Sequence, residues 1–223
     1  MPIRRYTVAA LLIAGALLYS SWVLAVVLNS GEGPFDGFAS QLAATDQRYG
    51  IVYRTGDLLT GIVLVVAAAV ALTFTPRRML TTVGWLALGV FGFGTIADSR
   101  LPLRCSTTVC EETQEPLAHQ WHALTSTVSV TAAVVSALAF IAALYVYRAP
   151  AGMRAAGVTV VVLFVIGTVW MLVGVDETSG SHVWLGFAQR IELLSMSGWM
   201  VLVAATLLNN RAWRDLHGMP GST

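Results

Sequence analysis

The sequence predicts an all-α, polytopic membrane protein: a bundle of six transmembrane helices with the N- and C-termini in the cytoplasm. Three observations predict it. Of 223 residues, 56% are hydrophobic and only 11% charged, and the mean hydropathy is +0.71, a balance that water-soluble globular domains do not show. Six apolar segments reach the roughly 20 residues that a helix needs to cross about 30 Å of hydrocarbon. Eight of the thirteen basic residues, all of them arginine, gather in alternate connections, and arginine is sparser on the other side.

In chain order the predicted helices are Val8 to Leu28, Ile51 to Phe74, Leu80 to Ala97, His119 to Tyr147, Ala155 to Val175 and Val183 to Leu208. They form a single transmembrane domain, residues 1–223. Arg4 and Arg5 precede the first segment, whose apolar run of about 21 residues exceeds the 7 to 15 of a signal-peptide core. It is expected to remain as a helix. Thr75, Pro76, Arg77 and Arg78 make a tight turn that forces the second and third helices antiparallel. Arg148 to Arg154, with Pro150 and Gly152, does the same for the fourth and fifth.

Those arginines, with Arg211 and Arg214, fall in the N-terminus, the second and fourth connections and the C-terminus. The positive-inside rule makes that side cytoplasmic and the protein a multi-pass component of the plasma (inner) membrane. The opposite side carries two long connections, Asn29 to Gly50 and Asp98 to Ala118, and a short one, Asp176 to His182. Long loops on one face are where function is expected. The net charge of +1 and the dispersed arginines exclude nucleic-acid binding. Glycines crowd the third segment at Gly84, Gly89, Gly92 and Gly94, where small residues let helices approach closely. The seven tryptophans, Trp85 and Trp199 among them, are expected mostly toward helix ends as headgroup-level anchors.

Ionisable groups inside hydrocarbon cost about 2.5 to 3.5 kcal/mol each near mid-helix, so each needs a reason. Arg54 and Asp57 lie three apart on one face of the second helix, and Asp98 closes the third. His119, His122 and Ser126 open the fourth as a single stripe, and Gln189, Arg190 and Glu192 lie in the sixth. Asp57, Asp98, His122 and Arg190 thus come from four helices at one level. Two arrangements satisfy that placement: a shared polar pocket, or an ion-pair network with Arg190 against Asp57 or Asp98. Arg190 and Glu192 are two apart, some 200° around a helix, so one of them is expected to meet a loop or the headgroups instead.

The histidines at i and i+3 could share a zinc ion with Asp98 or Asp57 as oxygen ligand, although His-x-x-His alone is a weak motif. Cys105 and Cys110 extend that to a possible four-ligand site. Their loop faces the oxidising side, however, where thiols pair, so a disulfide that shapes the 98–118 cap loop is expected. No metal is required by this reading.

Four stretches, GFASQLAATDQRYGIVYRTGDLLTG from Gly37, FGFGTIADSRLPLRC from Phe91, HQWHALTS from His119 and GFAQRIELLSMSGW from Gly186, resemble the bacterial and archaeal membrane family catalogued as domain of unknown function 998. The resemblance implies a multi-helix integral membrane protein whose shared polar positions match Ser40, Arg54, Asp57, Gly61, Asp98, His122 and Arg190. It implies no activity. A looser likeness is to intramembrane hydrolases of the ceramidase and progestin-receptor type, which set histidines, an aspartate and a serine among membrane helices. This chain lacks their seventh helix and His-x3-His pair.

The resulting expectation is an outward-opening pocket of Arg54, Asp57, Asp98, His119, His122, Ser126, Gln189 and Arg190 that binds a lipid headgroup or small amphiphile. The same chain could equally serve as an accessory subunit, with a membrane-protein partner or a second copy of itself. The alternative is a metal-dependent intramembrane hydrolase at the outer leaflet, with zinc on His119, His122 and Asp98 and with Asp57, Asp98, His122 and Ser126 as catalytic candidates. A proton-coupled carrier fits less well, because the cytoplasmic half offers no continuing path of ionisable residues.

Overall fold

The computed structural model describes residues 2–28, 37–106, 116–174 and 184–217. Helix α1 (Pro2–Tyr19) gives way to a tighter turn at Ser21–Leu24 and a short α2 (Ala25–Leu28). There follow the one-turn α3 (Ala39–Leu42), then α4 (Gly50–Phe74), α5 (Met79–Arg100), α6 (Pro116–Val146), α7 (Ala151–Gly174), α8 (Leu185–Leu208) and α9 (Asn210–His217). Six of these segments are long and apolar enough to cross a membrane, counting Ile3–Leu28 as one. The chain is an all-α, multi-pass membrane bundle.

Two boundaries differ from the sequence reading in ways that matter. Helix α5 runs one turn further than Ala97, to Arg100, so Asp98 sits within the last turn instead of closing the helix. Helix α6 starts at Pro116, so the expected 98–118 loop is shorter at both ends. Proline suits a first helical position because its missing N–H would have no intrahelical partner there. The turn after α6 is tighter than read, since Arg148 adopts a left-handed conformation (φ 57°) and Ala149 N–H closes on the Leu144 carbonyl at 2.9 Å. That is the position a glycine usually takes at a helix end.

The helices pack in an open ring. Along their lengths α6 packs on α5, α5 on α4, α4 on α1, α1 on α8 and α8 on α7, whereas α6 meets α7 and α8 over few residues. Backbones touch where α4 crosses α5: a Cβ on Gly61 would lie 2.5 Å from the Gly92 carbonyl oxygen. Ring closure rests on apolar volume at the centre. Trp85 meets Phe140 edge-on at 4.9 Å between centroids, and Phe91 takes Tyr19 at 5.5 Å and Trp199 at 6.4 Å. Trp85 and Trp199 are therefore core residues, 1% and 2% exposed. Composition alone places tryptophan at the headgroups, but here ring packing in the interior takes precedence.

The amphipathic α9 was not foreseen. Its Ala212, Trp213 and Leu216 are buried against the bundle while Arg211 and Arg214 face outward. Asn209 caps it by accepting from the N–H groups of Arg211 and Ala212, each at 3.0 Å. Arg78 donates to the last carbonyls, those of Asp215 at 3.2 Å and Leu216 at 3.3 Å, a favourable place for a cation at a helix C-terminus.

Candidate functional site

At the end of the ring away from the termini, the polar residues converge around one cavity of about 110 Å³, room for several water molecules. Its wall from α5 is Thr95 and Asp98, and from α6 it is His122, Ser126, Ser129 and Val130. Helix α8 supplies Gln189, Glu192, Leu193 and Met196, a stripe at i, i+3, i+4 and i+7. Tyr19, Ser21 and Trp22 come from the first span, Tyr53 and Asp57 from α4, and Ala39 and Ser40 from the cap.

A close approach of α5 to α6 positions Asp98. Gly94 lies directly against the Ser129 hydroxyl, so one turn further the Asp98 carboxylate falls opposite Thr125 and Ser126. Thr125 donates to it, and the Ser126 hydroxyl lies 3.0 and 2.9 Å from its two oxygens. His122 Nδ1 is 3.5 Å from Asp98 Oδ1 and 3.1 Å from the Leu101 carbonyl. Because a carbonyl only accepts, Nδ1 carries the proton and Nε2 is left for another partner. The Asp98 and His122 side chains are 20% and 14% exposed, enclosed yet within reach of a small ligand.

Glu192 is the member that sequence reasoning left out of the pocket. It is 3% exposed and its Oε1 accepts from Thr168 of α7 at 3.0 Å. Gly167 makes that possible, since the α7 backbone there presses on the Ala188 carbonyl, 2.9 Å from where a Cβ would stand. The i, i+3 spacing from Gln189 to Glu192 was a signal available in the sequence. Tyr19 was concealed within an apolar run; its hydroxyl donates to Met196 Sδ at 3.3 Å. Asp57 differs from the other two acids, for no hydrogen-bond or ion-pair partner reaches its carboxylate among the described residues.

The arginines serve the cap. Arg54 Nη1 donates to the carbonyls of Ala43 at 2.7 Å and Ala44 at 3.1 Å. Arg190 Nη1 donates to Gly37 and Gly186 carbonyls, both at 2.8 Å, and its guanidinium lies 5.9 Å from the centre of the Trp22 ring. Gln189 accepts from Ala39 N–H at 2.5 Å. Two adjacent residues of α8 thus hold the 37–42 segment over the cavity. Of Arg190 and Glu192, it is the arginine that meets a loop.

His119 lies one turn before His122 at the start of α6 and is half-buried, but it does not line the cavity. Among the described residues no group of three His, Cys, Asp or Glu side chains is close enough to share a metal ion. Cys110 lies outside the described residues. Beyond the cap a broader hollow of about 400 Å³ presents Arg100, Arg104 and Trp121. Its rim is stitched by Thr45, whose N–H donates to Leu103 O at 3.0 Å and whose hydroxyl donates to Arg104 O at 2.9 Å.

Electrostatically the cavity is lopsided: three carboxylates and one imidazole line it, and no arginine does among the described residues. Comparison with curated proteins and with solved structures finds no match in either. A family described as protein of unknown function DUF998 matches residues 12–206, from within the first span to near the end of α8. The chain belongs to that family.

Proposed function

We propose that this is a membrane binding protein whose chamber receives the ammonium headgroup of a small amphiphile at the outer leaflet of the plasma membrane. The observation that carries the reading is the Asp57 carboxylate, which faces the cavity without a partner among the described residues. A carboxylate in hydrocarbon is costly unless a counter-charge joins it. Asp98 is already served by Thr125, Ser126 and His122, and Glu192 by Thr168. Asp57 is left as the anion for an incoming cation, with Ser21 and Ser40 also lining the cavity to share that cation's remaining hydrogen-bonding demand.

The arginine distribution supports an outward-facing chamber with both termini cytoplasmic, and the oxidising compartment that follows supports a Cys105–Cys110 disulfide in the loop beside it. The reading is tested by thermal denaturation of purified protein with ethylammonium or acetate. Ethylammonium is expected to raise the midpoint and acetate to leave it unchanged, with the ethylammonium effect absent in Asp57→Asn. Equal stabilisation by acetate would overturn it.

A second reading, hydrolysis in the same chamber, is favoured by one observation: Ser126 and His122 both contact Asp98. It requires fatty-acid release from an amide or ester lipid that Ser126→Ala abolishes, while the melting of the bundle falls only by the loss of that hydroxyl's bond to Asp98.

A further inference from the structure

At Met196 the chamber backs onto a second, apolar hollow. On α6 the stripe that begins with Ser126, Ser129 and Val130 continues at helical spacing into Ala133, Val134 and Ala137, which line a narrow apolar groove of about 50 Å³. Met196 belongs to both, so cavity and groove adjoin across one side chain. The far wall of the groove is Val161 and Phe164 of α7, with Trp199 of α8 toward its inner end. Among the described residues that line it Ser195 alone bears a hydroxyl, which donates to the Ile191 carbonyl at 2.7 Å. Chemically the groove is hydrocarbon.

Its position is where the ring is open. Polar contacts bind α6 to α5, through Asp98 and through Ser136, which donates to the Gly84 carbonyl at 2.5 Å. Others bind α8 to α7 through Glu192 and Thr168. Between α6 and the α7–α8 pair the contacts are few, and they include apolar ones such as Phe140 against Trp199, 6.4 Å between centroids. The cap, by contrast, is fastened by Arg54, Gln189 and Arg190. Twelve residues separate Ser126 from Leu138 at the groove's inner end, about 18 Å of helix. One leaflet of hydrocarbon is about 15 Å deep.

We infer that the ligand is a single-chain amphiphile which enters sideways from the bilayer through the seam between α6 and the α7–α8 pair. Its chain lies along Val134, Val161 and Phe164 while its ammonium group reaches Asp57. The occupant is fixed by continuity: a chain in this groove has a polar group at one end only, and that end arrives at three carboxylates. At about 50 Å³ the groove leaves no room for two chains side by side, which excludes a diacyl lipid. This rests on the ammonium reading of the chamber and adds the tail, the route and the exclusion of double-chain lipids.

The test is native mass spectrometry of the full chain in neutral detergent, titrated with ethylamine, decylamine and didecylamine. Decylamine is expected to bind at least ten-fold more tightly than ethylamine and than didecylamine. Val134→Phe and Val161→Phe fill the groove from different helices. Each should erase the decylamine advantage and leave ethylamine binding as in wild type, whereas Val135→Phe, on the outer face of α6, should change neither. Two fillers on two helices keep the test decisive if one variant does not fold. Decylamine preference that survives both fillers, or equal binding of didecylamine, would overturn the groove while Asp57-dependent ethylamine binding still upheld the chamber. Loss of chain preference in the fillers, with no effect of Asp57→Asn on either amine, would instead sink the ammonium reading.

Discussion

The Ser126 hydroxyl lies 3.0 and 2.9 Å from the two oxygens of Asp98, joining α6 to α5 across the chamber wall. A hydrogen bond to an ionised group contributes about 1.5 to 3 kcal/mol in water-soluble proteins, and polar contacts between membrane helices average about 0.6 kcal/mol. Ser126→Ala is therefore expected to cost about 1 kcal/mol, read as a lowered unfolding midpoint in detergent. Thr125→Val with Ser126→Ala should cost more than the sum of the two, because the carboxylate then keeps only His122. Strict additivity would show that the three groups do not act as a unit.

The Gly61–Gly92 crossing makes a second prediction. A methyl group at Gly61 would meet the Gly92 carbonyl oxygen at 2.5 Å and one at Gly92 would meet the Gly61 carbonyl oxygen at 2.8 Å, contacts with backbone that cannot rotate away. Gly61→Ala should destabilise the bundle by about 1 to 3 kcal/mol, the usual range for overpacking. Gly152→Ala is the control, since nothing lies within 4 Å of that position, and it should be neutral or stabilising by up to about 1 kcal/mol. Equal melting of the two variants would remove the crossing from the account of stability.

Arg190 holds the cap by the Gly37 carbonyl oxygen and is itself steadied by the Gly186 carbonyl of its own helix. Arg190→Gln is expected to release the 37–42 segment and to speed proteolysis there several-fold, while the six spans stay protected. Gly186→Ala should mimic it, because a Cβ at Gly186 would collide with the Gly37 carbonyl oxygen. A cap as resistant as wild type in both variants would show that Arg54 and Gln189 suffice to hold it.

Much of this fold was legible, because a bilayer demands long apolar runs and tolerates few alternatives. The stripe of His122 and Ser126 opposite Asp98 was legible for the same reason: polar groups in hydrocarbon stand out. Arg54 and Arg190 were visible but their partners were not. Both donate to loop carbonyls, and backbone oxygens leave no mark in a pattern of side chains. Glu192 was set aside through its spacing from Arg190, although its spacing from Gln189 and Met196 placed it on the chamber. Tyr19, Trp85 and Trp199 were obscured in another way, since an aromatic ring reads as hydrocarbon whether it faces lipid, a headgroup or the core.

The proposed Cys105–Cys110 pair is checked by thiol labelling. The full chain treated with a maleimide of high mass should show no shift on a denaturing gel without reductant and a shift of two labels after reduction. Two labels without reduction would return both thiols to consideration as metal ligands.

Helix α1 packs against α8, with Ser20 and Ser197 hydroxyls 3.1 Å apart and Tyr19 on Met196. The first of the six described spans is therefore completed by the sixth. At about 5 to 20 residues per second, a ribosome needs on the order of ten seconds or more to travel from Tyr19 to Leu208. Within that interval Asp57 and Asp98, once made, stand in the membrane without the α8 wall that encloses them. Nascent chains arrested before residue 185 should thus remain a target for membrane quality control, and release of α8 from the ribosome is the step that ends their vulnerability.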